Sequence, residues 1–306
     1  MLAKARAPVT DTVEDLEIPT ARAGETRVRV RLEGRRDGPI IIAAGGISAN
    51  RRVRDWWGDV AAPEGGIDLS RYRVLGFDFA PLEDRRALLT PHLQAELLID
   101  ALDALGVAQA HAFVGASYGA MVGLALAEIA PARLARLIAI SAAHKPAALG
   151  RAWRGVQRRI VEDALDAGDG ARGLALARQL AMITYRSAEE FETRFTGALD
   201  DSGRSDLDHY LVARGQAYAN TCAAKRWLTL SEAIDRFAAT PEAILTRTTL
   251  AACPTDQLAP LADMQELAAR LPNCAGLKLL PSLYGHDAFL KEAGQLRPIL
   301  REAIDG

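Results

Sequence analysis

His111-Ala112-Phe113-Val114-Gly115-Ala116-Ser117-Tyr118-Gly119-Ala120-Met121 is the stretch on which the reading of this chain turns. The apolar run up to Ala116 has the composition of a buried strand and Ala120 to Ile129 that of a helix, so Gly115-Ala116-Ser117-Tyr118-Gly119 is the turn between them. A strand that turns directly into a helix strains the backbone of its turn residue and lifts that side chain above the sheet. Glycines flanking Ser117 fit this geometry, because side chains there would collide across the turn. Read this way, Ser117 is a nucleophile; the blander alternative is an ordinary tight turn in which it only caps the helix.

Outward from the elbow, strand and helix patterns alternate. Thr26 to Leu32 alternates strictly and predicts a strand with one wet face, placed at an edge. Pro39 to Ala44 is a β-branched run suited to a strand buried on both faces, and it ends in Gly45-Gly46-Ile47-Ser48, where a ligand could approach the backbone closely. A short helix is expected within residues 51–63, with Trp56 and Trp57 as core packing, and Tyr72 to Asp78 resumes the strand pattern. Pro91 to Leu105 is amphipathic and stops at Gly106. Further strands are expected at Leu134 to Ile140, Thr248 to Cys253 and Leu277 to Leu280, with closing helices at Leu261 to Leu271 and Asp287 to Ile304. Such alternation implies a mostly parallel sheet in an α/β fold. From Arg151 to about Asp235 the texture is helical throughout, which predicts a cap over the carboxyl edge of the sheet. The expected organisation is an α/β core over residues 16–150 and 236–306, a helical cap over 151–235 and an N-terminal tail over 1–15.

Composition narrows the function classes. Of 306 residues 49% are hydrophobic and 25% charged, enough for a large core, and the net charge of −2 with no basic run argues against a nucleic-acid partner. Cys222, Cys253 and Cys274 form an odd set without metal-ligand spacing, which suits a reduced cytoplasm and no metal. Neither a signal peptide nor a membrane span is expected, because the basic N-terminal residues lack an apolar run and no long apolar stretch follows.

A serine hydroxyl needs a base, and the base needs an orienting acid. On an α/β sheet the chain order that goes with this elbow is Ser, acid, His. His92 and His111 precede Ser117 and His209 lies in the expected cap, which leaves His144 and His286. His286 follows a strand and precedes the last helix, so it is favoured as base, with His144 a pocket-lining or loop-bonding alternative. Asp256, just past a buried strand, is the acid, whereas Asp235 and Asp263 on expected helices read as solvated carboxylates. Two amides must face the developing oxyanion: Tyr118 N–H supplies one and the Gly45-Gly46-Ile47 loop, through Gly46 or Ile47, the other.

Several segments carry a wider resemblance: Trp56-Trp57, Gly66-Ile67-Asp68, Tyr72-Arg73-Val74, the elbow, Ile140-Ser141-Ala142 with Gln157-Arg158, Leu176-Ala177-Arg178 with Thr184-Tyr185-Arg186-Ser187, and Gly285-His286-Asp287. On these the chain, from about Gly38 onward, resembles the homoserine O-acyltransferases of the α/β-hydrolase fold, whose relatives include serine O-acyltransferases. The resemblance implies an enzyme of methionine biosynthesis that forms an acyl-Ser117 from acyl-CoA as co-substrate, needs no cofactor, and pairs into a homodimer. It also implies that Arg178 and Tyr185 contact the acceptor and that Asp287 holds its ammonium group. A zwitterionic amino acid does need one cation and one carboxylate, and the planar fork of arginine suits the former. Taken alone, Arg178 reads equally as a surface cation, Tyr185 as core packing and Asp287 as a helix-start carboxylate.

Departures from the family pattern lie at Asp78, where the family has asparagine, in Phe79-Ala80-Pro81-Leu82-Glu83-Asp84, where it is glycine-rich, and in a shorter N-terminal region. A succinyl donor would require a cation for its distal carboxylate, for which Arg51, Arg52, Lys145 and Arg158 are candidates. Serine is one methylene shorter than homoserine, a difference worth about 1–3 kcal/mol in a pocket. An esterase or thioesterase with the same triad, and a non-catalytic binder, are the competing expectations.

Overall fold

A computed structural model describes residues 11–22, 26–80, 82, 84 and 89–306. The first ten residues of the expected tail, and Pro81 and Glu83 of the departing segment, lie outside the described residues. Eight strands form the main sheet: β1 (Asp11–Pro19), β2 (Arg27–Arg35), β3 (Ile40–Ala44), β6 (Arg73–Phe77), β7 (Ala112–Ala116), β8 (Arg136–Ile140), β9 (Arg247–Ala252) and β10 (Cys274–Leu279). A separate parallel pair consists of β4 (Ala61–Ala62) and β5 (Ile67–Asp68). The spatial order is β1-β2-β6-β3-β7-β8-β9-β10, antiparallel at β1–β2 and β2–β6 and parallel thereafter.

Residues alternate between two apolar layers along the central strands, as the period of a strand requires. Ile42, Phe113, Leu137 and Ala139 pack towards α2 (Pro91–Ala104), α3 (Tyr118–Ile129) and α9 (Leu261–Arg270). Ile41, Val114, Ile138 and Ile140 face the opposite layer, made by α1 (Val53–Trp57) and α11 (Ala293–Asp305). Local chemistry marks the helix ends: the Thr90 hydroxyl accepts the Leu93 amide at 3.0 Å and Pro91 opens α2.

Two expectations change at the N-terminal side. β2 is not the edge, because β1 pairs along its whole length, and β1 occupies residues 11–15 of the stretch expected to be tail. The cause is cross-strand charge: Arg31 pairs with Asp15 at 2.6 Å and Arg29 with Glu17 at 2.9 Å, so the polar face of the alternation meets a neighbouring strand. The final helix is also interrupted, into a 3₁₀ turn (Gly285–Asp287), α10 (Ala288–Lys291) and α11. Glu292 breaks it, its carboxylate accepting the Ser282 hydroxyl at 2.7 Å.

Between β8 and β9 lie α4 (Ala148–Asp166), α5 (Gly170–Tyr185), α6 (Ala188–Arg194), α7 (Asp206–Ala219) and α8 (Ala224–Asp235). They have an apolar centre of their own in Val161, Leu174, Ala177, Trp227 and Leu228. The first of them starts at Ala148, three residues ahead of the expected boundary at 151.

Helix α3 sits unusually close to the sheet. A Cβ on Gly119 would lie 2.4 Å from the Ala44 carbonyl oxygen, and one on Gly115 would lie 2.6 Å from the Gly119 carbonyl oxygen. Gly119→Ala is therefore expected to cost about 1–3 kcal/mol through overpacking. Urea unfolding should show this as a lowered midpoint with an unchanged slope.

Candidate active site

Each residue of the elbow follows from this packing. Ser117 has φ +54° and ψ −121°, a conformation that costs a non-glycine residue about 1–3 kcal/mol. Its own amide donates to the Ile140 carbonyl at 2.9 Å, and the Gly119 amide donates to the Gly45 carbonyl at 2.9 Å. The turn is thus tied to β8 on one side and to the end of β3 on the other.

The structure brings Ser117, His286 and Asp256 into one hydrogen-bonded chain. The Ser117 hydroxyl donates to His286 Nε2 at 2.8 Å, and His286 Nδ1–H donates to Asp256 Oδ2 at 2.8 Å. A carboxylate can only accept, which assigns the imidazole proton to Nδ1 and leaves Nε2 as the acceptor. Asp256 Oδ1 accepts the amides of Leu258 at 2.8 Å and Ala259 at 3.0 Å, so the carboxylate is buried yet satisfied. Burial is the largest influence on His286 and opposes its charging; the Asp256 carboxylate, by charge and by hydrogen bond and with help from Asp287, more than offsets it and raises the pKa above 6.5. His144 stands elsewhere, its Nε2 accepting from Arg270 at 3.1 Å beside α9.

The expected oxyanion donors lie beside Ser117. Tyr118 is the first residue of α3, where an amide has no acceptor within its own helix. Its ring is fully buried and packs edge-on against Phe79 with centroids 4.7 Å apart. A Cβ on Gly46 would come within 3.8 Å of Ser117 Cβ, so the backbone of this loop faces the serine, and Ile47 lines the same cavity.

That cavity, about 150 Å³, lies between the strand ends and the cap. Arg178, Tyr185 and Asp287 all line it together with Ser117 and His286. The Arg178 guanidinium is held by ring faces, 4.6 Å from the Tyr218 centroid and 5.2 Å from that of Tyr185, and among the described residues no carboxylate pairs with it. Asp287 is not free: Arg186, 5% exposed, donates from Nε to Asp287 Oδ2 at 3.1 Å and from a second nitrogen to Glu190 at 3.2 Å. Sequence reasoning passed over Arg186, although it stands inside a segment that carried the resemblance.

The cations weighed for a distal carboxylate separate cleanly. Arg51 is consumed by Asp15 and Asp78, at 2.7 and 2.8 Å, which also gives the aspartate at 78 a partner. Arg52 is exposed and does not line the cavity, whereas Lys145 does. Arg158 pairs with Asp235 at 2.7 Å behind the wall, and Arg154, missed in the sequence, lines the cavity and binds the same carboxylate at 2.6 Å. Asp235 is therefore an anchor between two arginines, not a solvated carboxylate; no local sequence signal joins residues some eighty positions apart. Trp57 is core, as expected, but Trp56 lines the cavity, stacked on Trp57 with centroids 5.1 Å apart.

Comparison with known proteins follows the same lines. A family model described as the alpha/beta hydrolase fold matches residues 41–293. A homoserine O-succinyltransferase of Xanthomonas campestris pv. campestris is 37% identical over 94% of this chain and 82% of its own. A homoserine O-acetyltransferase of Mycobacterium tuberculosis is 30% identical over 81% of this chain and 76% of its own. Among solved structures, a homoserine O-acetyltransferase from Bacillus anthracis superposes with a TM-score of 0.84 at 15% identity, covering 96% of this chain and 98% of that one. An acetylester hydrolase from Corynebacterium glutamicum gives 0.80 at 13%, covering 97% and 96%, and at such identities both likenesses concern the fold alone.

The raised pKa of His286 fixes the sign of a pH effect. A base works unprotonated, so kcat/KM for an activated ester is expected to fall as pH drops, with a midpoint above 6.5. Asp256→Asn should move that midpoint downward and lower the rate by about 10⁴-fold. A pH-rate profile of the two proteins measures both effects.

Proposed function

The chain belongs to the homoserine O-acyltransferase family of the α/β-hydrolase fold, and from that premise we propose that it transfers an acyl group from acyl-CoA to the side-chain hydroxyl of homoserine. The observation that carries this reading is the charge pair in the cavity of the triad: Arg178, without a carboxylate partner among the described residues, and Asp287, with one oxygen engaged by Arg186. An enzyme for apolar esters has no use for such a pair, whereas a zwitterionic acceptor needs both charges.

In the proposed ping-pong cycle, Ser117 Oγ attacks the thioester carbonyl while His286 Nε2 takes its proton. Amides of Tyr118 and of the Gly46-Ile47 loop face the resulting oxyanion, each such donor lowering the barrier by about 3 kcal/mol. CoA leaves with the proton returned by His286, and acyl-Ser117 remains. The homoserine hydroxyl, its carboxylate on Arg178 beside Tyr185 and its ammonium on Asp287, then attacks with His286 again as base, and O-acylhomoserine departs as Ser117 regains its proton. The cap limits water, so the positioned amino acid captures the acyl group first. Acyl-CoA acts as co-substrate, and no step calls for a metal or prosthetic group. Arg154 stands at the cavity wall, with Arg158 behind it on the same Asp235, and Lys145 adds a further cation, which favours a dicarboxylic donor such as succinyl-CoA.

The enzyme so described belongs in the cytoplasm, in methionine biosynthesis; three free cysteines accord with that compartment, and among the described residues no helix is long and apolar enough to cross a membrane. A homodimer through the cap accords with exposed apolar residues two turns apart on α4, Leu149 and Val156, and on α5, Leu176 and Ile183.

Intact mass after brief exposure to succinyl-CoA or acetyl-CoA tests the cycle. A mass gain absent in Ser117→Ala and discharged faster by homoserine than by serine or water is expected; discharge by water alone would make the protein a hydrolase. Arg178→Ala should raise KM for homoserine at least tenfold while sparing activated-ester cleavage. Light scattering should give twice the chain mass for the wild type and a monomer for Leu176→Asp combined with Ile183→Asp.

A further inference from the structure

Ser141 follows β8 directly and takes no part in the hydrogen-bonded chain of the triad. It is 2% exposed, its backbone is held at φ +51°, and its hydroxyl has no hydrogen-bond partner among the described residues. A buried hydroxyl left unpaired is unfavourable, and so is a positive φ at a residue with a side chain. Both coincide on a residue that lines the cavity. Its backbone has no easy way to relax: the Ser141 amide donates to the Ala251 carbonyl at 3.0 Å, and the preceding carbonyl, of Ile140, accepts the Ser117 amide at 2.9 Å. Ser141 is thereby fixed beside the nucleophile, between β7 and β9, with its hydroxyl uncommitted.

The surroundings narrow what that hydroxyl serves. The segment after β8 carries Lys145, 3.8 Å from Glu266, to the cavity wall, and Arg154, bound to Asp235, reaches it from α4, so Ser141 lines the same cavity as two cations. A hydroxyl donor among cations suits a carboxylate. An acetyl group ends in a methyl, which would leave Ser141 as unpaired as before.

We infer that the Ser141 hydroxyl donates a hydrogen bond to the terminal carboxylate of the acyl group carried on Ser117, and so distinguishes a dicarboxylic acyl chain from acetyl. The inference rests on the acyl-serine reading above. It assigns Ser141 as a specificity residue that touches the acyl group and takes no proton.

The test compares Ser141→Ala, which removes the hydroxyl and keeps the strain, with Ser141→Gly, which removes both, and with Ser141→Thr, which keeps a hydroxyl. Acylation of Ser117 is followed by rapid-quench intact mass with p-nitrophenyl monosuccinate and p-nitrophenyl acetate. The ratio of the two acylation rates is expected to fall about tenfold in the alanine and glycine variants, the size of one hydrogen bond to a charged group, and to be retained in the threonine variant. Ser141→Gly should melt above Ser141→Ala, since glycine accepts the positive φ. An unchanged ratio in the folded alanine and glycine variants, or an equal loss with both esters, overturns the inference. Wild-type protein labelled by neither ester would instead overturn the acyl-serine reading, and this inference with it.

Discussion

The close approach of α3 to the sheet is the constraint on which the site depends. With Gly119 against the Ala44 carbonyl and Gly115 against the first turn of the helix, the chain has almost no length in which to turn, and Ser117 absorbs the misfit at φ +54°. The same contact sets the Gly45-Gly46 loop beside the serine, because the Gly119 amide is held by the Gly45 carbonyl. One packing distance therefore positions both Ser117 and the loop that faces it. The strain of about 1–3 kcal/mol is small against the burial of the surrounding Phe113, Val114 and Val122.

Much of this was legible in the sequence because it is local. The elbow, the glycine pair after β3, and Asp256 and His286 each just past a strand are motifs whose geometry follows from neighbours in the chain. The strand-helix alternation placed the sheet for the same reason. What could not be read depends on pairing between distant elements. β1 looked like tail because its short alternation gains meaning only from the arginines of β2. Arg154 and Arg186 each read as one more arginine on a charged helix until Asp235 and Asp287 arrive from elsewhere in the chain. Asp78, conspicuous as a departure from asparagine, is likewise explained by Arg51, whose backbone amide and guanidinium both bind it.

The electrostatics of the cavity form two levels. Charges that face the interior, on Arg154 and Asp287, are backed by charges that do not, Asp235 with Arg158 behind the first and Arg186 with Glu190 behind the second. Backing of this kind holds a buried charge in one orientation, since a carboxylate already bonded at one oxygen presents the other in a fixed direction. Arg178 is backed differently, by the faces of Tyr185 and Tyr218, which support the cation without consuming its donors.

The junction between cap and catalytic loop has a mechanical meaning. Ser187 gives its amide and its hydroxyl to the Leu283 carbonyl, at 3.2 and 2.6 Å, and Gln257 reaches from beside Asp256 to the Arg186 carbonyl at 3.2 Å. Gly285, at φ +53°, leaves no room for a side chain against the Tyr185 carbonyl. Helix α5 is in this way riveted to the very turns that carry the histidine and its aspartate. A cap that swung open about this end would drag His286 away from Ser117 and break their hydrogen bond. A roof that stays in place while small molecules come and go is the motion this architecture leaves available, and it keeps His286 beside Ser117 throughout.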